Sequence, residues 1–449
     1  MTDTSALPKL PKLPKGLDRP AKLPEPALRG DAITADRYVD AGYLEKELSK
    51  VWHKVWNIGG VSYQMPQPGD FLTTDLGHDS IIMVRQDDGT VKAFFNVCPH
   101  RGTRITEAPE GHVNRFQCPY HGWEFSRDGI VVAVPDEDDF PAGSPCGKAH
   151  LQEISCVERF GMIWFNFDLT APSLDEFLGD VIVRELESYH VENMIRVLDI
   201  TADVDCNWKI ITDNFNEAYH VKVLHPDLIP YIAADHEDCQ FDLLSGGHNR
   251  GWFPSFLPSK AYGQDKIGEP LISMAAAWEV DSDQYVGRDR WRDMRVDIQQ
   301  QKFSHGAEKG FKHYDGLTDY QTTDYVIYNI FPNNVLTAGP DGMQLLRPRP
   351  HPTDPGKCLF DHWWMVHPIE GMTMTPSPAG GPDLPVEDAM HEHIAYGDKT
   401  LGTTADQDLS IAGLQQKGLA SKGYQGCYLA HQERRVQHFH EALNDYMDD

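Results

Sequence analysis

The segment FFNVCPHRGTRITEAPEGHVNRFQCPYHGW, residues 94–123, contains two short Cys/His pairs, Cys98 with His100 and Cys118 with His121, spaced as CxHx17CxxH. Four soft or borderline donors this close together form a metal-ligand pattern. A structural zinc site takes CxxC pairs or a closed Cys2His2 set, often with its His residues spaced along a helix. Here each short segment supplies one Cys and one His instead. That mixture suits a two-iron cluster in which two thiolates hold one iron and two imidazoles hold the other. Pro99, Gly102, Pro119 and Gly122 provide tight turns whose backbone amides can donate to sulfur. Such donors, like neutral His ligands, raise the reduction potential.

Working outward, short β-type runs surround the two pairs: FLTTDL, SIIMVRQ, the turn DDGT, VKAFFNV, VVAVP and GMIWFNF. They predict a small all-β domain over residues 58–167. Upstream, residues 34–57 place Leu44, Leu48, Val51 and Val55 at helical spacing, an amphipathic helix expected to pack with the larger domain. Residues 1–33 are rich in Pro and Lys and read as a flexible arm. Downstream, residues 168–449 mix textures. MIRVLDITADVDC reads as a strand and NWKIITDNFNEAYHVKVLH as a helix. YVIYNIFPN, NVLTAG, MQLLRPRP and CLFDHWWMVHP read as consecutive antiparallel strands. PVEDAMHEHIAYGDKTL, ADQDLSIAGLQQKGL and YLAHQERRVQHFHEALNDYM read as closing helices. A block of strands flanked by long helices predicts an α+β domain.

A chain of 449 residues exceeds one ordinary domain. Lys and Arg number 40 against 68 Asp and Glu, a net charge of −28. That balance argues against a nucleic-acid partner, which needs a positive field. No apolar run approaches the roughly 18 residues of a membrane span, and the N-terminus lacks the apolar core of a secretory signal. Eight Cys in so long a chain do not make a disulfide scaffold. Cys146, Cys156, Cys206, Cys239, Cys358 and Cys427 are expected as free thiols in a reducing cytoplasm.

A catalytic iron with open coordination positions needs two His and one carboxylate on a single face. DNFNEAYHVKVLHP offers His220 and His225. A spacing of five does not bring both to one face of a regular helix, so His225 must sit past the last turn, where Pro226 breaks it. TTADQDLSIAGLQQKGL offers Asp406 and Asp408, and local physics does not choose between them. His236, His391, His393, His438 and His440 lie in acidic stretches and read as solvated. Trp252, Phe253, Phe256, Trp278, Phe331, Trp363 and Trp364 either line an apolar pocket or fill the core.

CPHRGTRI and CPYHGWEF resemble the cluster motif of Rieske non-haem iron oxygenases, the α subunits of aromatic ring-hydroxylating oxygenases. NFNEAYHVKVLH resembles their mononuclear-iron motif. The resemblance implies a Rieske [2Fe-2S] domain joined to a larger α+β catalytic domain of helix-grip (Bet v1/START-like) type with an antiparallel sheet. It implies Cys98 and Cys118 on the outer iron of the cluster and His100 and His121 on the inner. It implies His220 and His225 on a mononuclear Fe(II), joined by Asp408, because the family sets its Asp ten residues before the Gly of a QxG segment, here Gln416 and Gly418. Glu217 stands where the family carries an acid, commonly Asp, that bridges a cluster His of one subunit to an iron His of the next. Asn214 matches a residue near the iron in some members.

The activity so implied is that of a terminal oxygenase using O2. Its electrons would come from a separate flavin-containing reductase, with or without a ferredoxin, since the chain shows no flavin or nicotinamide motif. The implied assembly is α3, or α3β3 with a second subunit. The implied substrate is aromatic or otherwise hydrophobic, mono- or dihydroxylated. Glu at position 217 also resembles carnitine and betaine oxygenases, so a monooxygenase or demethylase acting on a quaternary ammonium or methoxy compound is the alternative. A pure electron carrier, or a ligand-binding protein without its own iron, would leave His220, His225 and Asp408 unloaded.

Overall fold

The computed structural model describes residues 18–378 and 380–448. The chain divides into two compact units, one of Glu45–Phe177 and one made by residues up to Leu44 together with those from Leu178 onward.

The smaller unit holds ten strands: β1 (Asn57–Val61), β2 (Asp70–Leu76), β3 (Asp79–Arg85), β4 (Val91–Phe95), β5 (Glu110–His112), β6 (Phe116–Gln117), β7 (Glu124–Phe125), β8 (Val131–Ala133), β9 (Glu153–Arg159) and β10 (Met162–Asn166). Seven form a sheet in the order β1-β10-β9-β4-β3-β2-β5, and β6-β7-β8 form a small second sheet. Val84, Phe94, Phe116, Phe125 and Val131 build a core in which Cys98 and Cys118 are themselves buried. The unit runs past residue 167. Trp56 Nε1 donates to the Pro172 carbonyl at 2.9 Å, and the Arg159 guanidinium grips Asp175 with two bonds of 3.1 Å.

The N-terminal helix is interrupted: α1 (Asp36–Val39), α2 (Ala41–Glu47) and a π turn, Leu48–Trp52. The boundary between units falls within it, so residues 34–57 do not all join the larger unit. Residues 1–17 of the expected arm lie outside the described residues. From Asp18 to Ile33 the expectation of flexibility is corrected, because this extended stretch finds its polar partners on the larger unit. Gln240 Nε2 donates to the Pro20 carbonyl at 3.1 Å, Lys22 Nζ to the Phe241 carbonyl at 2.6 Å, and the Arg29 and Gly30 amides to Glu441 at 2.9 and 2.7 Å. Extended backbone without internal hydrogen bonds is held only when such outside partners exist.

The larger unit takes up the chain at Leu178, within α3 (Leu174–Tyr189), and continues through β11 (Ile195–Val204), β12 (Gln240–Leu243), β13 (Asn249–Phe253), β14 (Tyr325–Ile330), β15 (Asn334–Ala338), β16 (Gly342–Pro350), β17 (Cys358–Val366), the short pair β18 (Met374–Thr375) and β19 (Leu384–Pro385), and β20 (Glu392–Ala395). Eight strands form one sheet, β12-β13-β14-β15-β16-β17-β11-β20. Every pairing is antiparallel except β11 with β20. The helices are α4 (Trp208–Phe215), α5 (Val221–Leu224), α6 (Leu271–Ala276), α7 (Arg288–His305), α8 (Thr403–Leu419) and α9 (Arg434–Asp448). The α+β reading holds, with two local corrections. PVEDAMHEHIAYGDKTL is extended rather than helical, because β20 adds to the sheet edge and the Ala389 and Tyr396 amides donate to β11 at 2.8 and 3.0 Å. Edge pairing with a distant strand overrides local helical preference there. The single helix expected from Asn207 to His225 is two, α4 and α5, separated by a turn at residues 216–220.

Strand pairing sorts side chains between two faces with period two. Phe241, Phe253, Ile327, Gln344, Phe360, His362 and Trp364 share one face, and Arg250, Trp252, Tyr328, Arg347, Asp361 and Trp363 the other. The second face meets α3 and α7. Glu185 of α3 pairs with Arg250 and accepts from Tyr328 at 2.6 Å, while Arg295 of α7 pairs with Asp324, which also takes the Trp252 indole N–H at 2.8 Å. The first face meets α4 and α9: the Phe215 ring lies 6.3 Å from that of Phe360, and the Arg435 guanidinium lies 5.1 Å from the Phe241 ring.

Candidate metal centres

Cys98-Pro-His-Arg-Gly102 and Cys118-Pro-Tyr-His-Gly122 fold as the same loop. In each, the Cys carbonyl accepts from the Gly amide four residues on, at 3.0 Å, and the Cys amide donates to the carbonyl five residues on, Thr103 or Trp123, at 2.8 Å. Closing the loop puts Gly102 and Gly122 at φ of 77° and 69°, a region that Gly enters without strain. Since the loops match, moving the His by one position turns both imidazoles toward each other: the His100 and His121 rings lie 4.5 Å apart at 67°. His100 stacks on Trp123 at 4.8 Å, which fixes its plane. Cys98 and Cys118 are both buried and close enough to interact. Burial first, then Cys118, pushes the Cys98 thiol up to about 11, although the His100 and Arg101 amides point at its sulfur. The Cys98 thiol therefore has no driving force to ionise by itself, and His100 Nδ1 is buried without a partner. A bound cationic centre answers both facts, so these residues fit a cluster with two thiolate and two imidazole ligands.

The second centre is built at the broken helix. Asn207 caps α4, its side chain accepting from the Lys209 amide at 3.0 Å, and the helix ends at Asn216. Glu217 follows in the turn, where its carboxylate accepts from the Tyr219 and His220 amides and from His220 Nδ1. His220 and His225 flank the single turn of α5, and His225 adopts φ −118° and ψ 62° before Pro226. His225 Nδ1 donates to Gln407 Oε1 of α8 at 2.7 Å. With both Nδ1 protons engaged, both Nε2 lone pairs face Asp408 Oδ1, at 3.5 Å from His220 and 2.9 Å from His225. Lone pairs facing a carboxylate oxygen make no hydrogen bond, and Asp408 Oδ1 is buried without one. The three ligand atoms lie within 4.8 Å of one another, and this is the one such His/Cys/Asp/Glu group found among the described residues. Two His and one carboxylate on one side leave the remaining positions open, as in non-haem Fe(II) sites.

Asp406 is turned away, accepting from the Leu401 amide at 3.0 Å and from Thr400. Sequence reasoning missed Gln407. Its neighbour Asp408 was the only pointer to it, because the contact to His225 spans 182 residues. Gln416 ties the two parts of the centre together: its Oε1 accepts from the Asn207 amide at 2.8 Å and its Nε2 donates to the Tyr38 carbonyl at 3.2 Å. Glu217 and Asn214 also line a cleft of about 540 Å³ with Tyr38, Asp213, Tyr424 and Glu433.

The remaining His expectations divide. His236 is exposed, and His391 and His393 are half exposed and bonded to Asp199 and Asp203. His440 departs from the solvated reading. It is fully buried, taking a hydrogen bond from Arg37 at 2.9 Å and donating to Asp213 at 2.9 Å. Of the aromatic candidates, Phe253 and Trp364 lie on the sheet face shared with the second centre's helices, while Trp252 and Trp363 lie on the opposite face. Phe331 stacks on Tyr446 at 5.1 Å. Phe256 and Trp278, with Tyr314, surround the ammonium of the chain's own Lys302 at 5.2, 5.3 and 5.2 Å.

A β unit with two matched Cys–His loops and an α+β unit with a two-His, one-Asp group define the class of two-centre Rieske non-haem iron proteins. Comparison with known proteins places the chain within it. Residues 55–153 match the Rieske [2Fe-2S] domain, and residues 191–449 match the ring hydroxylating alpha subunit catalytic domain, which binds mononuclear iron in this family. The chain belongs to the ring hydroxylating alpha subunit family. It is 30% identical over 261 residues to the biphenyl 2,3-dioxygenase alpha subunit of Rhodococcus jostii (strain RHA1), covering 53% of this chain and 52% of that one. It is 31% identical over 192 residues to the glycine betaine monooxygenase oxygenase subunit of Pseudomonas aeruginosa (strain UCBPP-PA14), covering 43% and 44%. The chain thus spans about half the length of these curated relatives. The fold is shared with a quaternary ammonium Rieske monooxygenase (TM-score 0.65, 17% identity, 92% and 95% covered) and with naphthalene 1,2-dioxygenase (TM-score 0.64, 19% identity, 94% and 94% covered).

Proposed function

We propose that the chain is the terminal oxygenase of a multicomponent system, hydroxylating an aromatic or other hydrophobic substrate. The convergence of His220 Nε2, His225 Nε2 and Asp408 in a chain that also carries a Rieske domain is the observation that supports it. Cys98, Cys118, His100 and His121 would hold the [2Fe-2S] cluster, and His220, His225 and Asp408 a mononuclear Fe(II). When bound, these groups supply single electrons and an open site for O2. Glu217 and Gln407 hold the Nδ1 protons of His220 and His225, which fixes both tautomers and aims Nε2 inward.

Glu217 reaches His220 on one side and the 540 Å³ cleft on the other. The cleft is the reception site for the cluster loops of a second copy, in which Arg101 lies over the exposed ring of Tyr120 at 5.2 Å and offers positive charge to Asp213, Glu217 and Glu433. An α3 assembly, with or without a β subunit, would complete each site. Electrons come from a separate flavin-containing reductase, with or without ferredoxin. The six cysteines outside the cluster loops form no disulfide, which suits a reducing cytoplasm. Among the described residues no helix is long and apolar enough to cross a membrane.

The betaine-type alternative requires an aromatic cage for a quaternary ammonium. The three-ring cage formed by Phe256, Trp278 and Tyr314 already holds Lys302, so a quaternary ammonium would need a different set of rings. A substrate screen with a surrogate reductase under ¹⁸O2 tests the reading. It predicts labelled product coupled to NADH use, and NADH consumption without labelled product from any substrate would contradict it.

A further inference from the structure

Helix α9 buries a cation beside the turn of the second centre. Arg435 stands in its first turn and has no exposed surface. Among the described residues its guanidinium pairs with no carboxylate: Nη1 donates to Asn249 Oδ1 at 3.2 Å, Nη2 points at the Phe215 carbonyl at 3.5 Å, and Nε is buried without a partner. The Phe241 and Phe253 rings lie 5.1 and 6.0 Å away. Gly251 of β13 leaves the space, since a Cβ there would lie 2.7 Å from Nη1. Burial pushes the Arg435 pKa down to about 10, so the group stays charged at neutral pH.

Each of its contacts bears on residues 215–218. Phe215 ends α4, where the last carbonyls have no helical partner and a cation is favourable. Asn249, held by Nη1, donates its own Nδ2 proton to Asn216 Oδ1 at 2.7 Å. Glu217 is the carboxylate whose charge acts on Arg435 most strongly. Ala218 packs in one buried cluster with Phe241 and Phe253, the rings beside the guanidinium. Four consecutive residues thus converge on one side chain, and the third of them holds His220 Nδ1. A buried charge without an adjacent anion costs stability, and a methionine would fill similar space without that cost. Packing alone therefore does not account for a guanidinium at this position.

We propose that Arg435 is a positioning residue for the oxygenase reaction: its buried charge, acting through Phe215, Asn249 and Glu217, holds the turn that aims His220. The inference rests on the oxygenase reading and adds to its site a residue from the far end of the chain. Arg435 acts through Glu217 and His220 and does not itself meet the substrate.

Two measurements on the full-length, cluster-loaded protein test this: amide hydrogen exchange over residues 216–220 before Fe(II) is added, and Fe(II) affinity by anaerobic equilibrium dialysis. Arg435→Met should speed exchange at the Tyr219 and His220 amides and weaken Fe(II) binding at least about ten-fold, with cluster absorbance unchanged. Arg435→Lys keeps the charge and should recover most of that loss. Exchange and affinity in Arg435→Met equal to those of the unaltered protein overturn the proposal. So does a loss that Arg435→Lys shares in full, the mark of a side chain that only fills space. Asn249→Asp leaves Arg435 in place but supplies a carboxylate that draws its charge from Glu217, so it too should weaken Fe(II) binding. Unchanged binding in that variant overturns the proposal even where Arg435→Met does not fold. Product assays separate the two readings. Full product formation by Arg435→Met defeats the positioning inference alone, and an unaltered protein that binds this iron yet oxygenates nothing defeats the oxygenase reading alone.

Discussion

Glu217 and Gln407 do for His220 and His225, the histidines proposed to hold iron, what no ligand does for itself: each holds an Nδ1 proton so that Nε2 faces Asp408. Partners of this kind typically matter 10- to 100-fold in metal affinity or activity. Gln407→Leu should therefore weaken Fe(II) binding by about that factor in equilibrium dialysis, with the cluster absorbance unchanged. Glu217→Gln should leave both centres loaded yet lower product formation by a similar or larger factor, and full activity in that variant would remove its bridging role. The four proposed cluster ligands could be picked out of the sequence because both loops are local and nearly repeat one another. His220 and His225 were legible as a weak pair that the upstream motif strengthened. Gln407 and Arg435 were not, since each has contacts to positions that only the folded chain brings together.

The elements show the same division between local and distant causes. Strands β14 to β17 could be read directly, because alternation and aromatic content are properties of each run. The break between α4 and α5 was missed. Nothing local forbids a helix through Asn216 and Glu217, and the turn is held by side chains that cap it, with Asn216 Oδ1 accepting from Asn249 at 2.7 Å and Glu217 taking the next amides. Strand β20 was missed for the related reason that its partner β11 lies almost two hundred residues earlier. Gln416 joins α8 to the start of α4 and to Tyr38 of α1. Gln416→Leu should lower the free energy of urea unfolding by about 1–3 kcal/mol, the cost of leaving buried partners unpaired, and lower iron retention with it. An unchanged midpoint would show that α4 and α8 are held by packing alone.

β17 and the residue after it bear on pH dependence. Burial pushes His362 and His367 down to about 4 from the ordinary value near 6.5; His313 adds to the effect on His367. A His with a depressed folded-state pKa binds its proton more readily when unfolded. Its contribution is therefore complete above about pH 6.5 and is lost as pH falls toward 4. Each should cost roughly 2 kcal/mol of stability between pH 7.5 and pH 5, seen as a falling urea midpoint, and a flat midpoint across that range would contradict the buried neutral assignment.

At the scale of the whole chain, the proposed function divides one chemistry between the two units, with electron transfer assigned to the smaller and O2 and substrate to the larger. The domain matches account for most of the length, residues 55–153 and 191–449. If the cleft beside Glu217 receives a partner as proposed, the acidic balance of −28 calls for a basic surface on that partner. The claim that both centres operate in this chain is tested most directly by counting iron and acid-labile sulfide in anaerobically prepared protein. Two irons and two sulfides from the [2Fe-2S] domain, plus one iron at His220, His225 and Asp408, predict three irons to two sulfides per chain, falling to two irons to two sulfides in Asp408→Ala. Two irons to two sulfides in the unaltered protein, with no change in Asp408→Ala, would contradict the account.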